Sequence, residues 1–327
     1  ISIILAISSV PTWRRREKLN IDYLGFFISV IFISGFVLGF MEAPNWGWTS
    51  LPIMGLFLLS IISLITFIGW EKKIPHPLVE LTLFKNLTFT TLFSVLLIIQ
   101  AVAIVFVFLA IFLQNVLHYS PLMAGLLLLP AMVPIMLMAP VGGHLRDKYG
   151  PTLPMFCGAL LVVLSLIWIA IFSHNRGYAW LFPGLLVYGI GMPLILSGIM
   201  ATVMNMVNAQ QRGMASAIFN CARQFGNTIG LALLTGLLAS VNKWQLNSFL
   251  HHSPVPLSRL KEQQIDGLLV QSDQAMKAIA HLSLAHIELL KTAALNAYTN
   301  AFSMTLLAAA ILAFLSLFLI LKIPRKQ

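Results

Sequence analysis

Apolar residues in this chain gather into long unbroken runs, without the short alternating patterns of a soluble fold. The runs lie at about 23–41, 51–70, 88–112, 121–143, 153–173, 180–206, 213–240 and 301–321. About 20 apolar residues in a helix cross the ~30 Å hydrocarbon core of a bilayer. Inside hydrocarbon every peptide group must bond within its own helix or a closed barrel, and these runs lack the two-residue alternation of barrel strands. The pattern predicts an all-α polytopic membrane protein with eight complete spans. Residues 1–10, ISIILAISSV, make half a span that stops at Pro11, which predicts the end of a helix begun upstream. Pro130, Pro134 and Pro140 predict a kink in the run 121–143.

One span carries polar residues in register. In AIFNCARQFGNTIG (217–230), Asn220, Arg223, Gln224 and Asn227 recur at helical spacing and share one face, extended a turn earlier by Ser216. If the helix enters the membrane near Gly213, Arg223 lies about 15 Å deep, near mid-bilayer. A cation there costs about 2.5–3.5 kcal/mol or more, so the stripe is expected to face other helices or a wet cavity. Two readings fit: one wall of a solute pathway, or a polar seam that joins helices.

Composition sharpens this picture. The chain is 59% hydrophobic and 9% charged, against about 25% charged in soluble domains. Its net charge of +10 sits mostly in short loops beside the spans. That is a topology signal and not a nucleic-acid face. Placing the Arg14–Arg16 cluster in the cytoplasm puts most Lys and Arg on that side and the carboxy terminus with them. Asp22, at the entry of the first complete span, reads as a helix cap. The segment 241–299 mixes acids, bases and His251, His252, His281 and His286, and is expected as a water-facing loop with one or two surface helices. Its histidines have no metal-site spacing, and Cys157 and Cys221 lie in apolar segments away from any disulfide or zinc pattern. There is no phosphate-binding loop and no hydrolase nucleophile signature, so neither an enzyme nor a bound cofactor is expected.

The sequence GHLRDKYG (143–150) has the form G-x-x-x-D-[RK]-x-G between two spans. Gly143 is expected to allow close helix approach and Gly150 a tight reversal. Asp147 is expected to cap a neighbouring helix, with Arg146 and Lys148 at the charged surface. The pattern resembles the inner-loop signature of the major facilitator superfamily, found between the second and third helices of each six-helix half. Here it follows the third of eight complete spans, which matches the carboxy-terminal half if 23–41 and 51–70 are two extra helices. Such an insertion marks the fourteen-helix drug:proton antiporters of the EmrB/QacA type. The stretches FLQNVLHYSPLMAGLLLLPAMV (112–133), LVYGIGMPL (186–194) and QRGMASAIFNCARQFGNTIG (211–230) are similar to the same group. Pro151-Thr152 departs from the signature, where two basic residues are common.

The resemblance implies the end of a truncated helix at 1–10, two inserted helices within 11–87 and a carboxy-terminal six-helix half over 88–327. It implies a secondary transporter in the inner or plasma membrane that exchanges amphipathic or cationic small molecules for protons by alternating access. The substrate pathway would include Gln100, Gln114, Asn115, Met192, Asn220, Arg223, Gln224 and Asn227, with Met200 and Met204 as further apolar lining. Gly143, Arg146, Asp147, Lys148 and Gly150 would form a gating loop. The proton-coupling acids and the partner of Arg223 would lie in an amino-terminal half outside this chain, and a periplasmic adaptor would be a possible further partner. Two alternatives stand beside this reading: a truncated remnant or membrane scaffold, and an exporter of a lipid or metabolite.

Overall fold

A computed structural model describes residues 22–75, 77–252 and 284–323. Among these, eight helical segments are long and apolar enough to cross a membrane. The half-span 1–10, the basic cluster 14–18 and the whole segment 253–283 lie outside the described residues.

The first two spans, α1 (Tyr23–Trp46) and α2 (Leu51–Glu71), form a hairpin. Asp22 caps α1 as its position predicts, accepting from the Gly25 amide at 2.9 Å. It also accepts from the Trp70 indole at 3.2 Å, which ties the two ends of the hairpin together. Deeper in the membrane, the buried Ser60 hydroxyl donates to the Phe32 carbonyl at 2.9 Å. Much of the remaining hairpin surface is exposed apolar side chain, including Phe27, Leu58 and Ile65. That surface suits contact with lipid.

A short 3-10 turn (Leu81–Lys85) leads to the third span, which is broken at Ile104 into α3 (Leu87–Ala103) and α4 (Val105–Asn115). The fourth is α5 (Pro121–Leu127) and α6 (Leu129–Tyr149). This span is interrupted at Leu128, and Pro130 stands in the first turn of the new helix, where an amide donor is not needed; α6 runs through Pro134 and Pro140. Then follow α7 (Thr152–Phe172), α8 (Tyr178–Met206), α9 (Arg212–His252) and α10 (Leu284–Leu321). Helix α8 packs on both α6 and α7, α7 packs on α10, and α3, α9 and α10 pack on one another. The glycines of LVYGIGMPL divide this work. A Cβ on Gly189 would lie 2.3 Å from the Ala131 carbonyl oxygen of α6, and one on Gly191 would lie 2.7 Å from the Gly158 carbonyl oxygen of α7.

Three expectations are corrected here. The sequence GHLRDKYG is not a loop: α6 continues through it to Tyr149, and only Gly150-Pro151 separates α6 from α7. Charged residues can leave the membrane while the helix hydrogen bonds persist. For the same reason α9 runs on past 240 to His252, and α10 begins at Leu284 and not near 301, which shortens the expected long loop from both ends. The surface helices expected between 253 and 283 fall outside the described residues.

Candidate functional site

Helix α9 presents three different faces. Ala215, Phe219 and Ala222 are fully buried. Along the same side, a Cβ on Gly226 would lie 2.4 Å from the Leu97 carbonyl oxygen, and one on Gly230 would lie 2.3 Å from that of Ala101. These two glycines, four residues apart, let the backbones of α9 and α3 touch, which is the small-residue mode of helix association in membranes. A second face, with Phe225, meets Phe32 and Phe36 of α1 at ring separations of 5.6 and 5.1 Å.

The third face is the polar stripe. Asn220, Arg223 and Gln224 are exposed, while Ser216 and Asn227 are half-buried. Arg223 lies about 16 Å along α9 from Arg212, and among the described residues it has no hydrogen-bond or ion-pair partner. The expectation that neighbouring helices shield the stripe is therefore not met by the described helices. Packing of α9 is completed by its glycine and aromatic faces, which turns the polar residues away from the six-helix body.

The remaining predicted pathway residues do not all join this stripe. Gln100 is 6% exposed and sits where α3 crosses Gly226. Gln114 and Asn115 end α4, and Gln114 Nε2 donates back to the Ala110 carbonyl at 3.1 Å. Met192 is 5% exposed within the α8 packing, whereas Met200 and Met204 are half-buried. The structure brings Asn220, Arg223, Gln224 and Asn227 together. It leaves Gln100 and Met192 in packed interiors.

The predicted gating residues cluster at the end of α6. The Arg146 Nε donates to Asp147 Oδ1 at 2.9 Å, so Asp147 pairs with its neighbour and does not cap α7, whose start has no side-chain cap. Lys148 lies 5.2 Å from the centre of the Tyr149 ring. Gly150 does make the reversal, with φ +79°. Close helix approach belongs to Gly142, where a Cβ would meet the Ser197 hydroxyl at 2.5 Å, and not to Gly143, which faces open space. Arg146 and Asp147 also line a cavity of about 280 Å³ with Thr88, Thr202 and Asn205. Sequence reasoning missed those last three. Their signal was the i, i+3 spacing of Thr202 and Asn205 at the end of α8. On the opposite side, His174 Nε2 bonds Asn300 at 2.8 Å, Arg176 bonds Asn296, and Asn300 donates to Gln245 at 3.0 Å. These contacts join the α7–α8 turn, α9 and α10.

Comparison with known proteins agrees with this architecture. The family model described as Major Facilitator Superfamily matches residues 1–231. The multidrug resistance protein Stp of Mycobacterium tuberculosis is 30% identical over 240 residues, covering 73% of this chain and 44% of Stp. The tetracenomycin C resistance and export protein of Streptomyces glaucescens is 27% identical over 217 residues, covering 64% of this chain and 40% of that protein. The multidrug transporter protein MdtP of Bacillus subtilis is 23% identical over 336 residues, covering 98% of this chain and 62% of MdtP. The chain thus spans only part of the length of each relative. A crystal structure of a bacterial homolog of the human lysosomal transporter Spinster, inward-facing and occupied, superposes with a TM-score of 0.53. That match covers 90% of this chain and 66% of the other at 13% identity, a likeness of fold alone. With eight membrane-length helices, the shared architecture and a family match over more than two-thirds of its residues, this chain belongs to the Major Facilitator Superfamily.

Proposed function

We propose that this chain is the carboxy-terminal portion of a fourteen-helix drug:proton antiporter, exporting amphipathic or cationic small molecules by alternating access. The observation that carries the reading is the polar stripe on an otherwise well-packed α9, where Asn220, Arg223 and Gln224 are exposed, Asn227 is half-buried, and Arg223 has no partner among the described residues. A guanidinium at that depth is too costly to leave against lipid. Its cover is a second six-helix half, and the polar gap between the halves is the solute path. The coupling acid, or an anionic group of the solute, pairs with Arg223 from that side. Arg146 and Asp147, beside the small polar cavity, gate one end of the path.

Orientation follows from charge. Among the described residues, Lys72, Lys73, Lys85, Arg146, Lys148, Arg212 and Lys322 lie on one side, against Arg176, Lys243 and Lys291 on the other. A Lys/Arg excess marks the cytoplasmic side, which supports a cytoplasmic carboxy terminus; location in the plasma or inner membrane is part of the same proposal. The substrate class is supported by similarity to Stp, a multidrug resistance protein, to MdtP, a multidrug transporter, and to the tetracenomycin C resistance and export protein.

The test is efflux of a cationic dye from cells producing the whole protein, with Arg223→Ala and Arg223→Lys at matched membrane levels. Loss of one charge-assisted contact worth about 1.5–3 kcal/mol lowers transport on the order of 10- to 100-fold in Arg223→Ala, with partial recovery in Arg223→Lys. Unchanged efflux in Arg223→Ala overturns the reading.

A further inference from the structure

A second cavity, of about 600 Å³, lies on the α1 side of α9, lined by α1, α2, residues 78–84, α3 and α9. That volume falls within the ~300–1,000 Å³ of small-molecule sites. Its lining is almost wholly apolar and includes Phe36, Phe67, Phe93 and Phe225. The Ser29 hydroxyl in its wall already donates to the Phe26 carbonyl at 2.7 Å. An occupant therefore meets almost only hydrocarbon, and most hydrogen-bonding groups placed there would go unpaired. The α9 lining runs from Met214 to Ile229, about 22 Å of helix rise. That is enough to lay an extended chain lengthwise through one leaflet, whose hydrocarbon is about 15 Å thick.

Charge at one end of the cavity is sorted by sign. The acids are turned inward. Glu71 is 4% exposed and its Oε2 accepts from the Val79 amide at 3.4 Å. Asp22 is held by Gly25 and Trp70, and Glu80 by Thr82 and Gln211. The bases are turned outward. Lys72, Lys73, Lys85 and Arg212 are all exposed, and none forms an ion pair among the described residues. Each is near the lining in sequence: Lys72 one turn beyond Ile68, Lys85 beside Phe84, and Arg212 two residues before Met214. A cationic amphiphile is repelled from this end, and an anionic one is drawn to it.

We propose that this cavity holds an acyl chain of an anionic phospholipid, with the headgroup phosphate at Lys72, Lys73, Lys85 and Arg212. The site is distinct from the polar stripe, on another face of α9, and does not depend on the efflux reading. The lipid fills the space between the α1–α2 hairpin and the six-helix body that side chains leave empty.

The experiment is native mass spectrometry of the whole protein, extracted from nanodiscs of equimolar palmitoyl-oleoyl phosphatidylglycerol and phosphatidylcholine. Preferential retention of phosphatidylglycerol is expected. A Lys or Arg at a membrane surface contributes about fivefold in affinity for anionic lipid, so replacing Lys72, Lys73 and Lys85 together by Gln lowers retention on the order of 100-fold. Those three side chains are exposed, so the fold is left intact. Ala217→Trp, which fills the cavity, abolishes retention with the lysines in place. Equal retention of the two lipids overturns the proposal, as does phosphatidylglycerol retention that survives Ala217→Trp. Displacement of the lipid by a transported cationic dye also overturns it, because the cavity is then a substrate site.

Discussion

Helix α9 carries the polar stripe, and what fixes its position is the backbone contact at Gly230. A Cβ there would lie 2.3 Å from the Ala101 carbonyl oxygen, 2.5 Å from its Cα and 2.7 Å from its carbonyl carbon. All three are backbone atoms, so no side chain can rotate aside. Reaching the ~3.5 Å of ordinary carbon contact requires α9 and α3 to part by about 1 Å. Overpacking of this kind costs about 1–3 kcal/mol, offset in part by the ~0.5–1 kcal/mol that Ala gains over Gly within a helix. Gly230→Ala is therefore expected to destabilise by up to about 2.5 kcal/mol. Gly236, six residues further along the same helix, has nothing within 4 Å of its would-be Cβ. There only the propensity gain operates, and Gly236→Ala should stabilise by about 0.5–1 kcal/mol. Unfolding by SDS titration in mixed micelles compares the two variants with the unmodified protein. The reasoning fails if both substitutions shift stability in the same direction by the same amount.

Two further predictions concern the loop after α6 and the hairpin. Gly150 holds φ +79° and ψ 170°, a region open essentially to glycine, so Gly150→Ala should cost about 1–3 kcal/mol in the same titration; an unchanged midpoint contradicts it. Ser60→Ala removes the hydroxyl bond to the Phe32 carbonyl and should weaken the α1–α2 hairpin by about 0.6 kcal/mol, the average for bonds between membrane helices. A gain in stability would refute that.

Hydropathy made the spans legible, because a bilayer dictates the length of each apolar run. Local chemistry did the same for the Asp22 cap and for the turn at Gly150. What a period cannot specify is the neighbour. The spacing of Asn220, Arg223, Gln224 and Asn227 puts them on one face, but only the glycine contacts at 226 and 230 decide that this face turns away from α3. Likewise Gly142 and Gly143 are indistinguishable in sequence, and only the approach of α8 at Pro193 and Ser197 selects the first. Helix ends were misread at GHLRDKYG and near 240 for a different reason. Polarity marks where a chain leaves hydrocarbon, whereas helix hydrogen bonds continue into water wherever no Gly or Pro interrupts them. The break at Ile104 has no sequence signal, since IVFV contains neither residue, and the structure offers no physical account of it.

The most direct measurement of the pathway is solvent access along α9. In the whole protein with its native cysteines replaced by serine, Asn220→Cys, Gln224→Cys and Asn227→Cys should react with a charged, membrane-impermeant thiol reagent, and transported dye should slow that reaction. Leu58→Cys, on the exposed apolar face of α2, should not react. Stripe cysteines as unreactive as that of Leu58→Cys would place Arg223 against lipid and contradict the pathway.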